Sequence, residues 1–213
     1  MEYKSQKSVA GVDEVGRGSL IGPVYAAAVV FKKGFDKKRV KDSKKLSPKK
    51  REFLENYIKK NSYWAIGTAS KKEIEKKNIL NASLLAMKRS ILKLKFKPQI
   101  VKIDGNKKPN INNLNIKSVV RGDQKIPEIS AASILAKVSR DRLIKKISKK
   151  FKVYLWDKNI GYGTRDHLSA IKKFGITKHH RKTFKPIHNI LSCLLYTSPS
   201  PRDLSTSRMP SSA

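Results

Sequence analysis

Apolar and polar positions along the first seventy residues alternate in blocks. Val9 to Val12 and Val24 to Phe31 form two apolar runs separated by a glycine-rich turn, which predicts two strands. Ser62 to Ala69 alternates less cleanly and supplies a third strand carrying Trp64 and Ile66. Between them, Pro48 to Lys60 reads as a helix, with Ser47 as N-cap and Pro48 at the first helical position. Leu80, Leu84, Met87, Ile91 and Leu94 recur at helical spacing and predict a second helix over Ile79 to Leu94. Short strands follow at Ile100 to Ile103 and Ile116 to Val120. A long, partly apolar helix covers Pro127 to Ile147, and a shorter amphipathic one Asp166 to Phe174. Strands first, then alternating elements, predict an α/β fold with a mixed sheet and helices packed on it. There is no internal repeat.

Length bounds this picture to one domain, since 213 residues suffice for a single core. The domain is expected over residues 1–191, because the chain changes character at Ser192. From there to Ala213 lysine disappears, and Ser, Pro, Thr and Arg take over. That stretch reads as a disordered tail or, given the abrupt switch, as non-native sequence appended to a truncated gene. Cys193, the only cysteine, falls within it, so an internal disulfide and a cysteine zinc site are both excluded.

Charge adds a class of partner. With 49 basic against 16 acidic residues, the net charge of +33 favours a polyanion. The Lys-, Ile- and Asn-rich composition is also what an AT-rich genome produces, so charge alone does not separate binding from codon bias. No apolar run approaches the roughly 18 residues that span a bilayer, and the polar N-terminus lacks a secretory core. The expectation is a cytoplasmic protein with no membrane partner.

Against this basic background four acidic residues stand beside glycines at predicted strand ends: Asp13, Glu14, Asp104 and Asp123. Carboxylates gathered at a sheet end repel one another unless a cation joins them, and oxygen-only ligands suit Mg²⁺ or Mn²⁺. Adjacency is a difficulty, because neighbours on a regular strand point to opposite faces. Asp13 and Glu14 share a site only if the strand ends or twists there. Gly16-Arg17-Gly18 allows such a turn and lets backbone amides approach a substrate, but as a phosphate cradle it is a weak motif. Taken alone, the segment fits a tight turn with a solvated acidic pair at least as well.

Further blocks change the balance. The run GVDEVGRGSLIGPVYAAAVV from Gly11 to Val30 resembles the opening signature of ribonuclease HII. The similarity continues through Asp42-Ser43-Lys44-Lys45-Leu46-Ser47, Asn78 to Met87, Ile103-Asp104-Gly105-Asn106 and Gly122-Asp123. Ala131 to Arg142, Gly161-Tyr162-Gly163-Thr164, His167 and His180 to Pro186 complete it. These blocks stand in the family's order over residues 9–188. The resemblance implies a ribonuclease H-like fold, with a mixed central sheet flanked by helices and a small helical C-terminal part. It implies that Asp13, Glu14, Asp104 and Asp123 are the catalytic, metal-binding quartet for Mn²⁺ or Mg²⁺. It further implies that Gly16, Arg17 and Gly18 recognise the ribose 2′-hydroxyl and that Tyr162 packs on the following sugar. It also implies a monomeric enzyme whose substrates are RNA–DNA hybrids and duplex DNA containing ribonucleotides. Ser19 departs from the family's usual proline, a change expected to loosen the turn without removing a functional group. Arg17, where ribonuclease HIII has threonine, favours HII, as does a first strand that begins by residue 9.

Remaining candidates are weighed against ordinary structural roles. Lys44 and Lys45 suit phosphate contact through the family match, although most lysines here are merely solvated. His179, His180 and Arg181 form a basic cluster suited to phosphate. His167 is expected to order a loop, Asp141 to pair with a neighbouring arginine, and Trp64 and Trp156 to lie in the core. A non-catalytic nucleic-acid-binding protein, a resolvase or a general hybrid nuclease remains as an alternative.

Overall fold

The computed structural model describes residues 8–40 and 46–196. Five strands form one mixed sheet: β1 (Val9–Val15), β2 (Val24–Phe31), β3 (Ser62–Ala69), β4 (Ile100–Asp104) and β5 (Asn115–Val119), in the order β3-β2-β1-β4-β5. β2 runs antiparallel to β1 and β3, while β1, β4 and β5 are parallel. β1 therefore sits at the centre, and its C-terminal end lies beside that of β4.

Helices cover both faces. α1 (Pro48–Asn61) and α4 (Pro127–Ser148) pack on one side, α2 (Lys71–Leu92) on the other. β2 is buried on both faces: Ala26, Ala28 and Val30 meet α2, while Ala27 and Val29 meet α4. That explains why its sequence is an unbroken apolar run rather than an alternating one. α1 begins as its sequence predicts, Ser47 Oγ accepting from the Lys50 amide ahead of Pro48. Arg142 of α4 and Lys59 both donate to the buried Glu55, tying α1 to α4.

α2 starts eight residues before the apolar spacing predicts. Ser70 and Glu73 form a capping box there, and the helix kinks at Asn78 (φ 64°, ψ 169°) before the apolar face begins. A one-turn helix, α3 (Gly122–Lys125), follows β5. Beyond α4 come α5 (Trp156–Asn159), α6 (Arg165–Phe174) and α7 (Lys185–Tyr196), with a separate core of Leu20, Ile21, Ile144, Tyr154, Trp156, Ile171 and Ile187. This is the small helical C-terminal part. Lys44, Lys45 and residues 197–213 lie outside the described residues. Among those described, no helix is long and apolar enough to cross a membrane.

Candidate active site

Register builds the site. Val12 pairs with Ile103 across the parallel β1–β4 ladder, so Asp13 comes level with Asp104 at the strands' C-terminal ends. Ala10, Val12, Val101 and Ile103 all belong to the core under α2. By alternation Gly11, Asp13 and Asp104 point the other way, toward α4.

β1 does not end at the acidic pair, as its apolar run predicts, but continues to Val15. Glu14 accordingly leaves the sheet on the face opposite Asp13, where its carboxylate meets the Arg17 guanidinium at 3.3 Å. The strand's position at the sheet end keeps both acids near Asp104 all the same. Burial pushes the Asp13 carboxyl well above the usual range, and the charges of Glu14 and Asp104 push it further. Hydrogen bonds from Ser133 of α4 and from the Glu14 amide (2.7 Å) act against that rise. Glu14 is raised too, by burial first and by Asp104, while the Arg17 charge pulls it down.

Asp104 accepts from the Gly122 amide at 2.6 Å, which brings the first turn of α3 against the end of β4. Asp123, the next residue, is buried there. Among the described residues, no three such side chains stand together as a finished ligand group. Glu14 is turned to Arg17 and Asp104 to Gly122. The donor set nonetheless suits a hard divalent cation: all oxygen, half withdrawn from water, and mutually repelling until positive charge arrives.

The Gly16-Arg17-Gly18 segment closes the site's other side. Gly16 has φ +93°, and a Cβ there would lie 2.3 Å from the Arg140 side chain, so glycine is required twice over. Arg140 is fully buried and donates to the carbonyls of Ile160 (3.2 Å), Ile21 and Pro23 (3.4 Å each). Tyr162 stands beside Gly18, its ring 3.8 Å from where a Cβ would be.

Five sequence expectations need correcting, the first of them the phosphate role of His180, which is fully buried and faces His167 instead. Arg181 is fully buried and cannot reach a phosphate from that position. It donates to the carbonyls of Gly22 (2.9 Å) and Arg17 (3.0 Å), bracing the glycine loop from beneath. Ser19 does not loosen the turn. Its hydroxyl lies within hydrogen-bond reach of the Gly161 and Ile21 carbonyls (3.0 and 3.1 Å) and fastens the loop to the Tyr162 segment. Asp141 pairs with Lys137 at 2.9 Å rather than with an arginine. Trp156 is buried as expected, whereas Trp64 is half-exposed under Lys59. Sequence reasoning missed Ser133 and Arg140. Both lie in the block Ala131 to Arg142, whose family match was the signal available.

A family model described as Ribonuclease HII matches residues 10–187, nearly all of the sheet and its covering helices. The chain belongs to the ribonuclease HII family. A ribonuclease HII of Pelagibacter ubique is 69% identical over 185 residues, covering 87% of this chain and all of that protein. One from Neisseria meningitidis is 47% identical over 184 residues, covering 86% of this chain and 95% of that one. The crystal structure of ribonuclease H2 from Pyrococcus horikoshii superposes with a TM-score of 0.75 at 26% identity, covering 88% of this chain and 99% of that one. This ribonuclease HII therefore has the ribonuclease H-like fold and is an endonucleolytic hydrolase with ribonuclease H activity.

Proposed function

We propose that this ribonuclease HII cuts the RNA strand of RNA–DNA hybrids and nicks duplex DNA on the 5′ side of single embedded ribonucleotides, leaving 5′-phosphate and 3′-hydroxyl ends. Asp13, Glu14, Asp104 and Asp123 are the residues that would hold divalent Mg²⁺ or Mn²⁺. The single observation that carries this reading is the strand register, which sets Asp13 level with Asp104 at the ends of two adjoining strands with Glu14 the next residue along. Two ions bound there would supply an activated water for in-line attack and neutralise charge at the leaving 3′-oxygen.

The chain's own part is holding and selecting. Backbone groups of Gly16, Arg17 and Gly18, held by Arg140 and Arg181 from beneath, read the ribose 2′-hydroxyl, the group that separates ribose from deoxyribose. Tyr162, adjoining Gly18, packs on the sugar that follows. The excess of 33 positive charges draws in the duplex backbone, with Lys44 and Lys45 among the phosphate contacts. The enzyme works as a cytoplasmic monomer, removing ribonucleotides during DNA replication and repair.

The test is a duplex with one embedded ribonucleotide, incubated with and without Mn²⁺ or Mg²⁺. A metal-dependent nick 5′ to the ribonucleotide is expected, and an uncut duplex would overturn the proposal. In the same assay Tyr162→Ala is expected to lower the single-ribonucleotide rate about tenfold, the cost of roughly 1.4 kcal/mol of lost stacking. Long hybrids, which offer many registers, should lose less.

A further inference from the structure

Behind Tyr162 lies a buried chain of polar groups that the reaction does not use. Trp156, His167 and His180 are all fully buried. Trp156 Nε1 lies 2.9 Å from His167 Nε2, His167 Nε2 lies 3.2 Å from His180 Nε2, and His167 Nδ1 lies 2.9 Å from the Tyr162 carbonyl. The Thr177 amide lies 2.8 Å from His180 Nδ1.

The partners fix every proton. A carbonyl only accepts, so His167 Nδ1 carries hydrogen; an indole only donates, so His167 Nε2 is bare. His180 Nε2 must then carry hydrogen to face that bare nitrogen. The Thr177 amide only donates, so His180 Nδ1 is bare. Both imidazoles are neutral, and each is locked in one tautomer. Burial holds both below their usual range, His180 at about 3, with Lys71 and His179 adding positive charge near it. Tyr154, stacked on Trp156 at 5.0 Å, closes the cluster on another side.

The cluster also touches the opposite wall of the site. His180 bridges to Ile21 as a strand pair, and the next residue, Arg181, holds the Arg17 carbonyl. Ser19 pairs with Tyr162 in the same way.

We propose that His167 and His180 form a tautomer-locked relay that sets the position of Tyr162 relative to the Gly16-Arg17-Gly18 loop, and thereby tunes cutting at single ribonucleotides. His167 is a positioning residue, acting through the Tyr162 main chain. The inference rests on the proposed packing of Tyr162 against the substrate sugar.

Two amide substitutions divide the imidazole between them. His167→Asn puts an amide where Nδ1 stood and keeps a donor for the Tyr162 carbonyl. His167→Gln puts it where Nε2 stood and keeps a partner for Trp156 and His180 only. In the single-ribonucleotide assay His167→Gln is expected to lose about tenfold in kcat, as misplacement of a positioning group does. His167→Asn should stay within about threefold of the parent. In a Tyr162→Ala background His167→Gln should cost nothing further, because the ring it positions is gone. Equal losses in both amide variants, or the full His167→Gln loss persisting without the Tyr162 ring, would overturn the relay. If Tyr162→Ala alone cuts normally, the sugar-packing reading fails instead and the relay falls with it. Long-range nitrogen–proton NMR of the intact protein gives an independent check. It should find hydrogen on Nδ1 of His167 and Nε2 of His180 at neutral pH. The opposite tautomer on either ring would sink the proposal.

Discussion

Asp13→Asn is expected to abolish cleavage while making the metal-free protein more stable. The carboxyl is buried, and its raised pKa records two unfavourable effects, loss of water and repulsion from Glu14 and Asp104. Asparagine has the same shape and can keep the bond from the Glu14 amide, so it relieves both at little packing cost. The metal-free variant should therefore unfold at a higher temperature than the parent. The sign with pH is determined. A folded pKa above the unfolded one means that the parent's stability is fully present below the unfolded value of about 3.9 and is lost as pH rises through the folded value. The variant should therefore match the parent in acid and exceed it at neutral pH, measured by thermal unfolding in a chelating buffer. Added Mn²⁺ should reverse the order, because the parent gains binding energy that the variant lacks. Activity should fall by at least about a thousandfold, an increase of roughly 4 kcal/mol in the barrier. A variant that loses activity without gaining metal-free stability would show that Asp13 is not held under repulsion.

The same tension explains which parts of the molecule could be read in advance. Strands β2 to β5, α1, α4 and α6 are legible because most of their apolar positions face the core at the period of the element. The sequence makes β1 too short because Asp13 and Glu14 break its apolar run, although the ladder with β2 continues through both to Val15. The first turns of α2 were hidden for another reason. Lys71 to Asn78 offers one apolar residue, Ile74, and the left-handed Asn78 interrupts the helical period. α7 was missed although Ile187, Ile190 and Leu191 pack on the C-terminal core at helical spacing.

The candidate carboxylates were named from their places at strand ends, and the register brings Asp13 and Asp104 side by side. What supports them was not legible. Ser133 reaches Asp13 from 120 residues away, and Arg181 reaches the Arg17 carbonyl across a separation of 164. A basic residue in a basic chain gives no sign of whether it faces solvent or a buried carbonyl, so sequence alone assigns Arg181 to the substrate. Only the tertiary fold separates the two.

Gly11→Ala should be the most damaging substitution for the fold itself. Gly11 lies in the middle of β1, where the strand touches the first turn of α4 with nothing between. A Cβ at this position would lie 2.0 Å from the carbonyl carbon of Glu128 and 2.2 Å from the amide nitrogen of Ile129. Both are main-chain atoms, so no side chain can swing aside to make room. The helix must move away from the strand, opening the core of Ala131, Ala132, Ile134 and Leu135 against β2. It would carry Ser133 away from Asp13 as it goes. A loss of about 3 kcal/mol or more is expected, at the upper end for overpacking, with Tm lower by roughly 6–12 °C. Gly34→Ala supplies the control. Nothing lies within 4 Å of a Cβ there, and its φ of +82° leaves backbone strain alone, about 1–2 kcal/mol. Urea unfolding of the two variants separates close approach from strain. If Gly11→Ala proves no less stable than Gly34→Ala, the strand–helix contact is softer than its geometry implies, and the leading glycine of the Gly11 to Gly18 signature needs another explanation.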